Sequence, residues 1–249
     1  MSGDFLHSLG SLLPGIGDGV RITVEMAVGG AILAFVIAVV LGLGARVSNV
    51  VVRGASRTVI EFFRGTSLVV QLFWIYYVLP QLGVEWPAIW SAIVALGLNY
   101  GAYGAEVVRG SINSVPPGQW EATTALSMGR TQRMWRVVFP QAWPLMIPSL
   151  TNLLIQLLKG TAIVSFISMH DLMYWVDKLR INTGSTLLSY SIGLVLYFVI
   201  AYLFTLVMNA LEVHAKSKVG RGRGLRGLFR SPSSTDATVV REGTVSVWT

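Results

Sequence analysis

The chain has 249 residues, of which 53% are hydrophobic and 12% are charged, and it contains no cysteine. Soluble globular domains carry about 25% charged residues, so this composition is typical of a protein that lies in lipid. The absence of cysteine excludes disulfides, thiol nucleophiles and cysteine-ligated metals. The net charge of +7 does not indicate a nucleic-acid partner, because the positive residues lie between apolar segments and in the tail, as in membrane proteins.

Residues 1–18 form the first predicted unit, an extracytoplasmic amphipathic segment. Apolar residues recur there at helical spacing before Pro14 and Gly15, which predicts a short helix on the outer membrane interface, with a frayed terminus as the alternative: Phe5, Leu6, Leu9, Leu12 and Leu13. The segment contains Asp4 and Asp18 but no Lys or Arg. A cleavable secretory signal needs positive residues ahead of its apolar core, so we expect no cleavage.

Five apolar segments are long enough to cross a membrane, since a helical span needs about 20 residues. They cover roughly residues 22–43, 59–79, 86–108, 147–168 and 187–211. We therefore predict an all-α membrane protein with five transmembrane helices, in a transmembrane domain over residues 19–217. Small residues within or beside the first and third spans are expected to let these helices pack closely: Gly42, Gly44, Gly97, Gly101 and Gly104.

The positive residues of the loops indicate the orientation, because Lys and Arg close to a span stay on the cytoplasmic side. They are frequent after the first, third and fifth spans, whereas residues 82–85 have none and residues 171–186 carry two with two acidic residues. We therefore predict that the N-terminus lies outside and the C-terminus in the cytoplasm. Residues 218–249 are too polar to fold alone, which predicts a disordered basic cytoplasmic tail that could lie against anionic lipid head groups.

The loop at residues 115–140 is long for a protein whose other loops are short, which indicates a function. After two prolines, residues 119–128 are predicted as a helix, and residues 131–138 as a second short helix that ends at Pro140. This helix pair is amphipathic. Its apolar residues are available for burial: Trp120, Leu126, Met128, Met134 and Trp135. Its arginines are expected to face water: Arg130, Arg133 and Arg136. Such a pair either docks into a groove on a soluble partner or lies on the membrane surface.

The residues of this loop resemble the signature loop of bacterial ATP-binding-cassette importer permeases, in which Glu-Ala-Ala, a Gly and Ile-x-Leu-Pro recur at fixed spacing. The matching positions are Glu121, Ala122, Thr123, Ser127, Val137, Phe139 and Pro140. Thr123 replaces the third Ala of the family pattern, and Ser127 replaces the usual Gly, with Gly129 two residues later. Because of these two differences, the resemblance does not determine the conformation of the turn between the two short helices.

Further segments resemble the polar amino acid branch of these permeases; these segments are residues 61–66, 100–106, 115–122, 140–142 and 158–162. The resemblance covers residues 17 to about 217. The resemblance implies the type I importer permease fold in the bacterial cytoplasmic membrane, with a second permease subunit, itself or a paralogue, completing the pore. It also implies an ATPase dimer, which binds ATP and Mg²⁺, and an extracytoplasmic solute-binding protein. Residues 99–110 are further similar to permeases that import ectoine and hydroxyectoine.

The resemblance assigns contact with the ATPase to a defined set in the loop: Gln119, Trp120, Glu121, Ala122, Ala125, Ser127, Gly129 and Pro140. The sequence has no phosphate-binding loop of the G-x-x-x-x-G-K-[ST] type, so ATP must be bound by another chain and no cofactor is expected on this one. The histidines are scattered singly, which excludes a histidine metal cluster.

Polar residues inside the predicted spans are candidates for a substrate pathway, because a polar group in lipid is costly unless it has a partner or a function. Asn99, Tyr103 and Glu106 share one helix face, where they line a pore or hydrogen-bond a neighbouring span. Lys159 could meet the carboxylate of a zwitterion, or pair with Glu106, or extend to the interface. The full set is Asn99, Tyr100, Tyr103, Glu106, Gln156, Lys159, Thr161 and Ser165.

Two other classes of protein fit the sequence less well. A membrane-embedded enzyme needs a catalytic constellation, and the sequence offers no paired carboxylates, metal ligands or Ser/His set. A passive channel lacks repeated charged rings and does not account for the cytoplasmic helix pair. We therefore expect a permease without enzymatic activity, in an ATP-driven, binding-protein-dependent importer of a polar amino acid or an amino-acid-derived compatible solute.

Overall fold

The computed structural model describes residues 2–218, with side chains described for residues 7–213. This part of the chain is a helical bundle whose α-helices are α1 (Ser2–Gly44), α2 (Val50–Gly65), α3 (Leu68–Phe73), α4 (Ala88–Asn113), α5 (Pro117–Ala125), α6 (Arg130–Arg133), α7 (Phe139–Gly160), α8 (Leu172–Thr183) and α9 (Thr186–Lys218). Two π-helical turns, Trp74–Val78 and Met134–Val138, and two 3-10 helices, Leu79–Leu82 and Thr161–Ile167, connect some of them. The predicted tail, apart from Lys218, lies outside the described residues.

Helix α4 is the centre of the bundle and packs along α1, with α2, α3 and α7 also against it. A Cβ atom on Gly101 would lie 2.8 Å from the Ile37 side chain, and one on Gly104 would lie 2.7 Å from Cβ of Ala38. Small residues therefore allow α1 and α4 to approach closely, as predicted.

Helix α1 is continuous over 43 residues, whereas the sequence predicted a separate short helix over residues 1–18. Pro14 lies inside it and removes one helical hydrogen bond. Packing of α1 against α8 compensates for this lost hydrogen bond, because Gly15 and Gly19 leave room for the Trp175 ring of α8. Leu12 and Ile16 are buried in the same core cluster as α8.

Three stretches are long and apolar enough to cross a membrane, namely residues 7–44, 130–167 and 186–213, and a fourth exists if α2 and the following helical residues 68–82 are one bent span. Helix α4 corresponds to the remaining predicted span. It has 26 residues, which is long enough, but it carries the polar groups described below and is enclosed by its neighbours.

The predicted span over residues 59–79 is not one continuous helix, because the chain turns by 102° between α2 and the helical residues 68–82. Thr66 and Ser67 have extended backbone conformations, with φ, ψ of −108°, 151° and −71°, 135°. Helical hydrogen bonding therefore stops at Gly65 and resumes at Leu68. We call residues 65–67 the α2–α3 break.

The sequence predicted that the second short helix of the long loop ends at Pro140. In the structure it continues past this residue. The N–H group of Phe139 donates to the carbonyl of Met134, five residues earlier, and this π-helical turn carries α6 into α7. Pro140 lies in the first turn of α7, where a missing N–H is tolerated. Residues 130–167 therefore form one continuous helical stretch.

Residues 172–183, predicted as a loop, form α8, which packs against α1 and α9. The carboxylate of Asp171 caps its first turn by accepting from the N–H of Tyr174 at 3.0 Å. Gly184 ends the helix with a left-handed φ of 64°. An acidic N-cap residue followed thirteen positions later by Gly184 is a sequence signal that would have predicted this helix.

Candidate functional site

The end of α5 adopts the turn that the family pattern assigns to glycine. Ser127 has a left-handed φ of 54°. The N–H of Met128 donates to the carbonyl of Thr123 at 3.1 Å, and the N–H of Ser127 donates to the carbonyl of Thr124 at 2.9 Å. These are the two hydrogen bonds of a Schellman motif, so the turn forms although Ser127 replaces the usual glycine.

Helix α5 has one face against the bundle and one face without a partner among the described residues. Trp120 packs against the buried core cluster at this end of the bundle, and Thr123 is only 3% exposed. On the other face Glu121, Ala122 and Ala125 are exposed. Leu126, beside them, is 74% exposed. This face is therefore the part of α5 that is free to enter a groove on a partner protein.

Three other members of the predicted contact set lie in α5 and in the segment that follows it: Gln119, Gly129 and Pro140. The side-chain amide of Gln141 donates to Oε1 of Gln119 at 3.1 Å, which joins the first turn of α5 to the first turn of α7. Gly129 precedes α6 with an extended backbone conformation, and Pro140 is exposed. Residues 130–167 are one continuous helical stretch, and only the turn at residues 126–129 separates α5 from it.

Side chains of α3 and α4 satisfy the carbonyl groups that the α2–α3 break leaves without helical partners. The amide of Asn99 donates to the carbonyl of Phe63 at 3.1 Å. The amide of Gln71 donates to the same carbonyl at 2.9 Å and to Oγ1 of Thr66 at 2.7 Å. A helix break at membrane depth requires such partners, because no water is available there.

Tyr103 also contacts this region, since its hydroxyl donates to the carbonyl of Arg64 at 3.2 Å. The Arg64 guanidinium lies 5.5 Å from the centre of the Tyr103 ring and pairs with Glu61 at 3.1 Å. The sequence left two roles open for Asn99 and Tyr103, lining a pore or hydrogen-bonding a neighbouring helix. In the structure both residues hydrogen-bond a neighbouring helix, α2. Gln71 was not predicted for this site, and a glutamine shortly after a Gly-Thr-Ser stretch is the signal that would have found it.

The end of α7 lies against both α4 and the beginning of α3. The hydroxyl of Tyr100 donates to the carbonyl of Gln156 at 2.9 Å. A Cβ atom on Gly160 would lie 2.8 Å from that hydroxyl and 3.2 Å from Cδ2 of Leu68. Thr161 is fully buried, and its hydroxyl donates to the carbonyl of Leu158. Ser165 likewise donates within its own helix, at 2.9 Å to the carbonyl of Ala162.

The two charged candidates do not meet. Oε2 of Glu106 lies 2.5 Å from Nη2 of Arg109, one turn further along α4, so the alternative of a Glu106–Lys159 pair is wrong. The side chain of Lys159 is exposed and has no hydrogen-bond or ion-pair partner among residues 7–213.

Lys159 belongs to a row of exposed polar side chains on α7, which we call the polar stripe: Ser149, Asn152, Gln156 and Lys159. Their spacing of three, four and three residues places them on one helix face. Ser149 and Asn152 were not predicted for the site, although their spacing from Gln156 and Lys159 follows from the sequence. Exposed polar groups on a span are costly in lipid, so the stripe needs water or another protein beside it.

A helical bundle of membrane-spanning character, with a broken span and an uncovered polar stripe, has the architecture of a membrane-transport subunit. Comparison with known proteins identifies the family. The chain belongs to the family of binding-protein-dependent transport system inner membrane components, whose model matches residues 30–217.

Relatives with known or assigned roles cover most of the chain. A probable amino-acid ABC transporter permease protein of Sinorhizobium fredii, y4tF, is 40% identical over 217 residues, which are 85% of this chain and 90% of the relative. The L-cystine transport system permease protein TcyB of Bacillus subtilis is 34% identical over 204 residues, 81% of this chain and 87% of the relative. The crystal structure of an amino acid ABC transporter with histidines has a TM-score of 0.76 and 32% identity, over 82% of this chain and 96% of that one.

Proposed function

We propose that this chain is the pore-forming permease subunit of an ATP-driven importer of amino acids, and that it does not hydrolyse ATP itself. The proposal rests on one observation above all, the two-faced helix α5, which is anchored by Trp120 and Thr123 and presents Leu126 to a partner. The relatives support the substrate class, since two are named for amino-acid and L-cystine transport and the solved structure for an amino acid transporter.

The partner of α5 in this proposal is an ATPase dimer that binds ATP and Mg²⁺. Its closure would displace α5, and two connections would carry the displacement into the bundle. One is the Gln119–Gln141 hydrogen bond, and the other is the continuous helical stretch over residues 130–167. The far end of that stretch contains Lys159 and, through Gly160, contacts Leu68, the first residue after the α2–α3 break. A motion of α5 would therefore reach the beginning of α3.

The polar stripe is the proposed lining of the translocation path. A second permease subunit, a further copy or a paralogue, would cover the stripe and enclose water between the two subunits. Lys159 would attract the carboxylate that every amino acid carries. Ectoine and hydroxyectoine carry the same group, so they remain predicted substrates beside the polar amino acids. Asn99, Tyr100 and Tyr103 would support the path by holding the α2–α3 break and the end of α7 in place.

We place the chain in the bacterial inner membrane with the N-terminus outside and α5 in the cytoplasm. The arginines that lie near α5 support this orientation, because positive loops stay on the cytoplasmic side. The extracytoplasmic solute-binding protein would then dock at the opposite end of the bundle, where α3 ends and α8 lies.

Co-purification with the proposed ATPase partner tests the docking face. Leu126→Lys places a charge on the exposed face of α5 and is expected to abolish co-purification. Leu82→Lys makes the same change at a leucine that is 66% exposed in the 3-10 helix beyond α3, and it should leave the complex intact. Equal co-purification of both variants would remove α5 as the docking helix.

Transport assays in proteoliposomes test coupling. Wild-type complex should import solute only with ATP and the binding protein, whereas Glu121→Arg is expected to retain ATPase activity and lose its stimulation of uptake. Uptake by the chain without the ATPase would instead indicate a passive channel. A thermal-shift screen of the binding protein with glutamine, glutamate, arginine, histidine, cystine and ectoine would identify the solute.

A further inference from the structure

A cavity opens at the α5 end of the bundle, and none of the residues of the polar stripe lines it. It has a volume of about 560 Å³ and lies between the turn after α1 and the segment from α5 to α7. We call it the arginine pocket, after three of the residues that line it, and its polar lining is Arg46, Ser48, Trp120, Arg130, Thr131 and Arg133.

The positive charge of the pocket is uncompensated by the residues that line it, since no carboxylate is among the described lining residues. Arg46 donates to the amide oxygen of Asn113, Arg130 to the hydroxyl of Ser48 at 3.2 Å, and Arg133 to the carbonyl of Met128 at 3.4 Å. All three acceptors are neutral.

One donor in the pocket has no acceptor. Nε of Arg133 is buried and has no hydrogen-bond partner among the described residues. A buried guanidinium nitrogen without a partner is costly, and an anion that accepts from it would remove that cost. The hydroxyls of Ser48 and Thr131 are further groups with which the anion's oxygens could hydrogen-bond.

The pocket lies at the depth of the lipid head groups. Arg46 follows the end of α1 by two residues and contacts Asn113, the last residue of α4. Helix α4 rises about 38 Å from Ala88 to Asn113, which spans the hydrocarbon core of about 30 Å and reaches the head-group region. Trp120 and Trp135 border the pocket, and tryptophan is the residue most typical of this interface.

We propose that the arginine pocket binds the phosphate of an anionic phospholipid of the cytoplasmic leaflet. Guanidinium groups bind phosphate oxygens in a planar, two-pronged geometry, and three of them converge here. Leu43, Val47 and Met134 add apolar surface on the same lining, which suits an amphiphile better than a soluble phosphate.

The bound lipid would act on α5. The Arg46 guanidinium lies 5.8 Å from the centre of the Trp120 ring, and Trp120 anchors α5 to the bundle. A phosphate bound by Arg46, Arg130 and Arg133 would therefore connect the turn after α1 to α6. This connection would lie beside Trp120, the residue that packs α5 against the bundle. This role rests on the proposed cytoplasmic position of α5, whereas lipid binding itself is measured without transport.

Lipid titration of the delipidated, full-length chain in detergent tests the proposal, with bound lipid counted by native mass spectrometry. Wild type should bind phosphatidylglycerol saturably, at one tight site, and phosphatidylcholine weakly. The double variant Arg46→Gln/Arg133→Gln should bind phosphatidylglycerol about 30-fold more weakly, the factor expected for two interfacial arginines. The control Arg57→Gln/Arg136→Gln removes the same charge at exposed arginines outside the pocket and should bind normally.

Three results would overturn the proposal. The first is equal phosphatidylglycerol binding by the two double variants. The second is saturation of the site by inorganic phosphate or glycerol 3-phosphate at the same concentrations as lipid, which would assign the pocket to a soluble phosphate. The third is displacement of the lipid by the ATPase together with loss of ATPase binding in Arg46→Gln/Arg133→Gln, which would assign the pocket to an acidic segment of that partner.

If the glutamine variant does not fold, Arg133→Lys gives the same test. Lysine keeps the charge but lacks the planar fork, so this variant should bind phosphatidylglycerol more weakly than wild type does. Arg136→Lys is its matched control and should bind normally. Equal binding by both lysine variants would also overturn the proposal.

Discussion

The side-chain amide of Asn99, midway along α4, donates to the backbone carbonyl of Phe63 at 3.1 Å, across 36 positions of sequence. This hydrogen bond joins the central helix to the end of α2, directly before the chain turns away from helical geometry. The same carbonyl accepts from Gln71 at 2.9 Å. The α2–α3 break is therefore stabilised by two donors from different helices.

These two donors predict a non-additive effect on stability. Asn99→Leu alone should lower the free energy of unfolding by about 1 kcal/mol, because Gln71 still satisfies the carbonyl of Phe63. Combining it with Gln71→Leu should cost more than the sum of the two single changes, since the carbonyl then has no partner. Thermal unfolding in detergent measures both. Asn152→Leu, a change on the exposed polar stripe, is the matched control and should leave the unfolding temperature unchanged while lowering uptake.

Lys159 is predicted to determine uptake and not assembly. Lys159→Ala should reduce amino-acid uptake in proteoliposomes more than about tenfold, because a carboxylate would lose its attracting charge in a low-dielectric path. The assembled complex should elute normally in size-exclusion chromatography. Lys178→Ala on α8 removes a lysine outside the polar stripe and should retain uptake. Uptake at the wild-type rate by Lys159→Ala would remove this residue from the path.

Ser127 is predicted to be a site of conformational strain. Its left-handed backbone costs a non-glycine residue about 1–2 kcal/mol, and the extra chain entropy of glycine costs about 0.5–1 kcal/mol. Ser127→Gly should therefore stabilise the protein by about 0.5–1 kcal/mol, measured by thermal unfolding. Ala125→Gly places glycine at a right-handed helical position two residues earlier and should destabilise it. Destabilisation by Ser127→Gly would contradict the turn described here.

Asp171 is predicted to make stability depend on pH. Burial raises the pKa of this carboxyl from an ordinary value near 3.8 to about 6, although the backbone N–H groups of Tyr174 and Met173 partly oppose the shift. Between these values the folded state binds more protons than the unfolded state, so stability rises as the pH falls from about 6 to about 4. The full shift of about two pKa units corresponds to roughly 3 kcal/mol.

Asp171→Asn tests this assignment, because asparagine caps a helix as well as aspartate does but does not titrate. The variant should be more stable than wild type at pH 7 and should lack the gain on acidification. Asp177→Asn is the control. The side-chain hydrogen bond from Arg180 lowers the pKa of Asp177, so its contribution decreases on acidification, opposite to that of Asp171. An unchanged pH profile in Asp171→Asn would assign the dependence to another group.

The features predicted best from the sequence are those set by neighbouring residues. The helix predicted over residues 119–128 is α5, Pro117–Ala125. The predicted span 187–211 lies within α9, and the predicted span 86–108 lies within α4 except for its first two residues, because apolar periodicity and nearby Pro and Gly are local signals. The family resemblance based on Glu121 to Pro140 is confirmed by the family match over residues 30–217.

The features that the sequence did not predict depend on contacts between distant residues. A single span over residues 59–79 was predicted because most of these residues are apolar, but the break is stabilised by Asn99, which belongs to another helix. An ion pair between Glu106 and Lys159 was one of the predicted alternatives, because their charges are opposite. In the structure Glu106 pairs instead with Arg109, one turn away on the same helix. The continuity of residues 130–167 past Pro140 depends on a π-helical turn that proline spacing does not indicate.

The sequence by itself determined the lipid environment, the transport family and the position of α5, because hydropathy, charge bias and motif spacing act over a few residues. The tertiary structure decided which polar groups are partnered and which are exposed. Asn99, Tyr100 and Tyr103 hydrogen-bond neighbouring helices, whereas Lys159 and the rest of the polar stripe have exposed side chains. The physical reason is that the partner of a polar group in a span is supplied by another helix, so its role appears only after the helices pack.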